Sequence, residues 1–241
     1  MPRSVPVVVP KPFAETTLPA MINLQRTGDV FVLHMTNGEN RFSPDMLHQF
    51  GDALGQVEQA EGPKALVTVG AEKYFSNGLD LDWLTANPNE ASSYLFRVHS
   101  LFGRVLELPC ATVAALNGHT FAAGAMLSLC HDHQIMRSGR GYWCLPEADL
   151  GMQFTEGMNM LIPAMLPKRT AHEAMVTGRR YTAEEALAAG IVNEIAAEAD
   201  VLPTAIAHAQ SLAPKAGSTI AGIRTHLYRH VIATLHGTEQ G

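Results

Sequence analysis

The sequence predicts an α/β domain whose last third is helical. Three observations predict it. Short apolar runs of strand length, KALVTVG (Lys64 to Gly70) and ATVAAL (Ala111 to Leu116), recur along the chain. Segments of helical period lie between them, and that alternation implies parallel pairing through crossover helices. Beyond about Asp200 the helical pattern continues to His236, with a break at Pro214.

Taken in order, residues 1 to 20 are proline-rich and lack a period, so they are expected to form an extended or disordered leader. Order should begin near Met21, with one domain running from there to residue 241 and its helical part over about 200–241. DVFVLHM (Asp29 to Met35) alternates and reads as a strand. Ser43-Pro44-Asp45 supplies an N-cap, a first-turn proline and a first-turn acid. Behind it Met46, Phe50, Ala53, Leu54 and Val57 share one helical face. After the Lys64–Gly70 strand, a helix is expected from about Asn89. Leu95, Val98, Leu101, Phe102 and Val105 should point inward, with Pro109 beyond its end. The small-residue run after Phe121 starts another helix, and His133 to Met136 reads as a strand. Thr182 and Glu185 form a capping box for a short helix that Gly190 closes, and Ile191 to Ile195 reads as a further strand.

The chain has 241 residues, 46% hydrophobic content, 17% charged residues and a net charge of −6, so it has no basic footprint for nucleic acid. No apolar run approaches the roughly 20 residues that span a bilayer. Cys110, Cys130 and Cys144 are widely spaced and form no CxxC pair, which suits core thiols in a reducing compartment. The first residues are too proline-broken for a secretory signal, and HGTEQG at the end carries no peroxisomal tripeptide, so a cytoplasmic location is expected. There is no dinucleotide fingerprint, phosphate loop, nucleophile elbow or HExxH helix. His131 and His133 flank Asp132, but no third ligand is in obvious reach of them. No metal site and no cofactor are therefore expected.

Two further segments carry chemistry. YFSNGLDL (Tyr74 to Leu81) follows the first buried strand, and NGHTFAAGAM (Asn117 to Met126) follows the second. Together they resemble the crotonase, or enoyl-CoA hydratase/isomerase, superfamily. With CLPEADLGM and TGRRYTAEEALAAGIVNEI downstream, the resemblance covers nearly everything from Met21 onward. It implies a crotonase-like fold, a ββα spiral core with a helical C-terminal region, acting on acyl-CoA thioesters, with coenzyme A part of the substrate. It also implies that the backbone N–H groups of Leu79 and Ala123 form an oxyanion hole for the thioester oxygen. Alanine at 123 departs from the usual glycine. Ser76, Asn77, Gly78, Asp80, Phe121, Ala122, Gly124 and Met126 would surround the substrate.

The resemblance further implies one acid–base residue. Hydratases of the family use two glutamates; here Met126 stands where the first belongs, and Glu147, after Pro146, matches the second. A lone carboxylate suits moving a proton from C2 to C4, the Δ3,Δ2-enoyl-CoA isomerase pattern. Glu156, in LGMQFTEGM, is an alternative base or else a first-turn helix acid. Hydration of enoyl-CoA or another acyl-CoA activity of the same superfamily, and acyl-CoA binding without turnover, are the rival readings. Arg41, Lys73, Lys215 and Arg224 are candidates for the CoA phosphates, and a homotrimer or dimer of trimers is the assembly implied.

Overall fold

The computed structural model describes residues 20–237. The leader expected over residues 1–20 lies, apart from Ala20, outside the described residues, as do residues 238–241. The chain opens with a hairpin, β1 (Ile22–Thr27) antiparallel to β2 (Val30–Met35). Helix α1 (Pro44–Gln59) is capped by Ser43, whose hydroxyl accepts from Met46 N–H, and leads to β3 (Ala65–Val69) and the short β4 (Tyr74–Ser76). Then come α2 (Leu81–Ala86), α3 (Ala91–Glu107), β5 (Ala111–Leu116), β6 (His119–Phe121), α4 (Ala123–Leu129), β7 (His133–Arg137) and β8 (Trp143–Cys144). The remainder holds α5 (Glu147–Leu150), α6 (Glu156–Met165), α7 (Lys168–Thr177), α8 (Ala183–Ala188), β9 (Glu194–Ala196), α9 (Val201–Leu212), α10 (Ser218–Leu227) and α11 (Arg229–Leu235).

Six strands make the main sheet in the order β1-β2-β3-β5-β7-β9, parallel except for the first pair. A second parallel sheet stacks β4-β6-β8. These three strands, too short to show any period, went unread in the sequence, as did polar β1 at the sheet edge. The α/β reading and the helical last third hold.

Three local readings are corrected, and one is extended: strand β2 alternates in sequence and is buried on both faces. Phe31, Leu33 and Met35 join the main core, while Val30 and Val32 join a second layer with Val67, Val113, Val201, Ala205 and Ala209 under α9. A parallel sheet covered on both sides gives this pattern. On α3, Tyr94 is the fully buried residue and Leu95 is only half-buried. The last strand begins at Glu194, because Ile191 and Val192 close the turn after α8 through Ala186 C=O.

Arg224 is the third, since it is a buried tie and not a phosphate contact. Its guanidinium, 5% exposed, meets Asp132 at 2.9 Å, donates to Cys110 C=O at 2.8 Å and also to Leu108 C=O. Asp132 in turn accepts from Thr112 N–H at 2.8 Å. The pair thus pins α10 to the start of β5. Removing one partner of such a pair strands the other and the carbonyls. Arg224→Met is expected to lower unfolding free energy by about 3 kcal/mol in urea titration; a loss under about 1 kcal/mol would show the tie to be dispensable.

Candidate active site

The two sheets bring the chemistry-bearing segments side by side. β4 and β6 pair in parallel, so the loop after each leaves the small sheet at the same end. Their approach is close. A Cβ built on Gly78, at φ +84°, would lie 2.8 Å from Ala123 N, and one on Gly124 would lie 2.5 Å from Ser76 O. Neither position has room for a side chain, and Gly78 also needs the left-handed backbone.

Just before α4, Ala122 sits at φ 50°, ψ −126°, a conformation that non-glycine residues adopt at a cost of about 1–3 kcal/mol. That geometry turns the chain abruptly from β6 into α4. It leaves the first N–H groups of the helix open at its N-terminus. Among the described residues no hydrogen bond takes the N–H of Leu79 or of Ala123.

These residues border a cavity of about 490 Å³. Asn77, Leu79, Phe121, Ala122, Ala123 and Glu147 line it, so six of the expected site residues converge there. Ser76, Gly78, Asp80, Gly124 and Met126 do not line it. Ser76 is buried behind the loop, donating to Asn40 C=O at 2.7 Å and accepting from Gly78 N–H at 3.1 Å. Asp80 caps α2 through Trp83 N–H at 3.1 Å. Met126 is fully buried in the main core. Those residues shape the site from behind and do not touch its space.

Glu147 opens α5 directly after Pro146 and is 7% exposed. Its Oε2 is buried without a hydrogen-bond partner. Burial in this apolar wall, whose neighbours include Leu79, Leu150 and Met152, pushes its carboxyl up to about 7. Glu156 is exposed in the first turn of α6 and does not line the cavity. The other acid on the wall is Asp82, nine-tenths exposed and paired to Arg41 at 2.7 Å.

Of the cations considered from sequence, Arg41 borders the cavity, whereas Lys73 and Lys215 are exposed elsewhere. Arg180 also borders it, its guanidinium 5.9 Å from the Phe121 ring centroid, and it was missed. Only the arginine doublet before Tyr181 could have flagged it. His131 faces inward, bonded to Thr68 Oγ1 at 2.9 Å and Leu127 C=O at 2.9 Å. His133 turns the other way and stacks on His208 at 3.8 Å.

The burial of Glu147 sets a pH dependence. Its ordinary value is 4.5. Below that the carboxyl is neutral in both folded and unfolded chains, and ionisation costs the fold nothing. As pH rises from 4.5 through about 7, the unfolded chain ionises first, so the folded state loses ground; the loss is complete above pH 7. Glu147→Gln is therefore expected to be more stable than the native chain by about 3 kcal/mol at pH 8, and by less than about 1 kcal/mol at pH 5. Denaturant midpoints at the two pH values measure this. An offset that does not change with pH would contradict the assignment of a buried, raised carboxyl.

Comparison with known proteins bears on the family and the fold. The family model for enoyl-CoA hydratase/isomerase matches residues 25–239. Enoyl-CoA delta isomerase 2, peroxisomal, of Arabidopsis thaliana is 33% identical, over 89% of this chain and 95% of its own. Enoyl-CoA delta isomerase 3 of the same plant is 35% identical, over 86% and 92%. The apo structure of an enoyl-CoA isomerase from Mycobacterium tuberculosis superposes with a TM-score of 0.83 at 26% identity, over 90% of this chain and 95% of that one. The crotonase-like fold implied by the two loop motifs is thus the fold present, and the chain belongs to the enoyl-CoA hydratase/isomerase family.

Proposed function

We propose that this enzyme is a Δ3,Δ2-enoyl-CoA isomerase, with Glu147 as its proton shuttle. One observation carries the reading: a buried carboxylate with an unpartnered oxygen stands in a largely apolar cavity that the open N–H groups of Leu79 and Ala123 also border. The thioester oxygen accepts from both N–H groups. Glu147 takes a proton from C2, the resulting enolate charge rests on those two donors, and the same carboxyl returns the proton at C4. A carboxyl raised to about 7 suits both halves, because it neither holds nor surrenders its proton too strongly near neutral pH.

The apolar wall supports isomerisation over hydration. Hydration needs a second group to hold water, and Met126, which stands where that group belongs, is sealed in the core. Asp82, the other acid bordering the cavity, is committed to Arg41 at the exposed rim. Arg180 supplies positive charge there for the anionic CoA moiety, whereas Arg41 is already held by Glu39 and Asp82, each at 2.7 Å. Exposed Ile223 and Leu227, one turn apart on α10, support the assembly of several copies.

Three measurements test the reading. A 3-enoyl-CoA substrate should turn over far faster than crotonyl-CoA is hydrated, and comparable rates would overturn the isomerase assignment. Glu147→Gln should lower kcat by about 10²-fold or more, while Glu156→Gln leaves it near native. Since the base must be ionised, kcat/KM should rise with pH and level off above about 7; a profile flat between pH 5 and 8 would assign the proton transfer to another group.

A further inference from the structure

Tyr94 lies on α3, outside both loops, and has a bonding pattern that its burial alone does not require. Its ring is fully buried and stacks on Trp83 of α2 at 5.1 Å, tilted by 37°. Its hydroxyl accepts from Asp80 N–H at 2.9 Å and donates to Phe42 C=O at 2.8 Å. Phe42 and Leu79 form an isolated parallel bridge, in which Phe42 N–H donates to Gly78 C=O at 2.8 Å. A parallel bridge carries a second bond, from the following N–H back to the facing carbonyl. Here that bond is Asp80 N–H to Phe42 C=O, and the phenol oxygen is inserted into it.

The consequence falls on the residue between. Along extended backbone, successive N–H groups point to opposite sides. With Gly78 C=O and Asp80 N–H both drawn toward Phe42, the N–H of Leu79 is turned away from that segment, on the side of the cavity. Asn40 and Glu39 fix the start of the same loop, Asn40 Nδ2 donating to Phe75 C=O at 3.1 Å and Asn77 N–H donating to Glu39 C=O at 2.9 Å. Only Tyr94 holds its far end by a side chain from another helix among the described residues. The phenol stays protonated, since burial pushes it up to about 12.

We propose that Tyr94 is a positioning residue for catalysis: its hydroxyl, spliced between Asp80 and Phe42, sets the direction of the Leu79 N–H at the thioester oxygen. The inference rests on the reading of Leu79 as an oxyanion donor. A donor displaced by a fraction of an ångström loses most of its hold on a developing oxyanion but little of its hold on the rest of the ligand. Tyr94 thereby acts on turnover through Leu79 without touching the acyl-CoA itself.

The test compares Tyr94→Phe with Trp83→Phe, which trims the stacking partner and leaves the hydroxyl bridge in place. Each is measured for thermal midpoint, kcat and KM on a 3-enoyl-CoA. Each is also measured for the infrared stretch of a bound saturated acyl-CoA labelled with ¹³C at the thioester carbonyl. Tyr94→Phe should lower kcat by about 10-fold or more, change KM by less than about 3-fold, and move the carbonyl stretch part of the way back toward its value in water. Trp83→Phe should lower the thermal midpoint with kcat and the stretch unchanged. Should Tyr94→Phe not fold, 4-fluorophenylalanine at position 94, which fills the place of the hydroxyl but cannot donate to Phe42 C=O, carries the same expectations. Loss of thermal stability with native kcat and native carbonyl stretch would make Tyr94 structural only. Equal losses of kcat in both variants would mean general loosening, and would also overturn the proposal. A native enzyme that leaves the bound carbonyl stretch at its value in water would defeat the oxyanion reading of Leu79 itself, which is a separate outcome.

Discussion

The structure depends on one constraint, the near-contact of two backbone loops where no side chain fits. Gly78 faces Ala123 N, and Gly124 faces Ser76 O, at separations that would leave any added Cβ under 3 Å from backbone. Sheet pairing between β4 and β6 sets the approach, and glycine permits it. Two N–H groups from segments some forty residues apart are thereby left side by side without partners. Most of the surrounding architecture serves that juxtaposition. The main sheet delivers both segments to one end, because β3 and β5 pair in parallel. Ser76, buried and doubly bonded, stiffens the first loop from inside.

A second principle runs through the cavity: charge is kept at its rim and excluded from its wall. The exposed acid is neutralised by Arg41, and both arginines stand where solvent still reaches them. The interior keeps a single carboxyl, and its surroundings withhold the partners that would hold it ionised. A surface carboxylate would be a weak base, already content with water; a salt-bridged one would be weaker still. The fold stability given up by burying Glu147 is the counterpart of that reactivity, an instance of strain concentrated where chemistry occurs.

Much of this was legible in the sequence, for identifiable reasons. Long elements announced themselves: α1 through Ser43, Pro44 and its buried stripe, β3 and β5 through uninterrupted apolar runs. The two loop motifs were read from resemblance, since no period or composition assigns work to a backbone N–H. Glu147 was legible as a residue, but the wall around it was not, because Leu79 and Phe121 come from distant segments of the chain. Arg224 shows the opposite error. An arginine on a C-terminal helix resembles a ligand contact, and only the packing of α10 against β5 reveals that it satisfies Asp132 and two carbonyls. Short pieces such as β4, β6 and β8 carry too few residues for any periodic signal, though they frame the site.

The three cysteines acquire a meaning from the kind of ligand this family handles. Thioesters are acyl donors, and their natural hazard is a thiolate that takes the acyl group for itself. Cys144 ends β8, three residues before Glu147, within reach of such an accident by sequence alone. It is buried, its Sγ donates to Gly178 C=O at 3.1 Å, and burial pushes the thiol up to about 11. Burial likewise pushes Cys110 up to about 11 and raises Cys130 still further. Near neutral pH every thiol in the chain is therefore in the form that cannot attack. The protein can hold an activated acyl group beside its own sulfur without becoming acylated, and the same burial makes it indifferent to alkylating reagents.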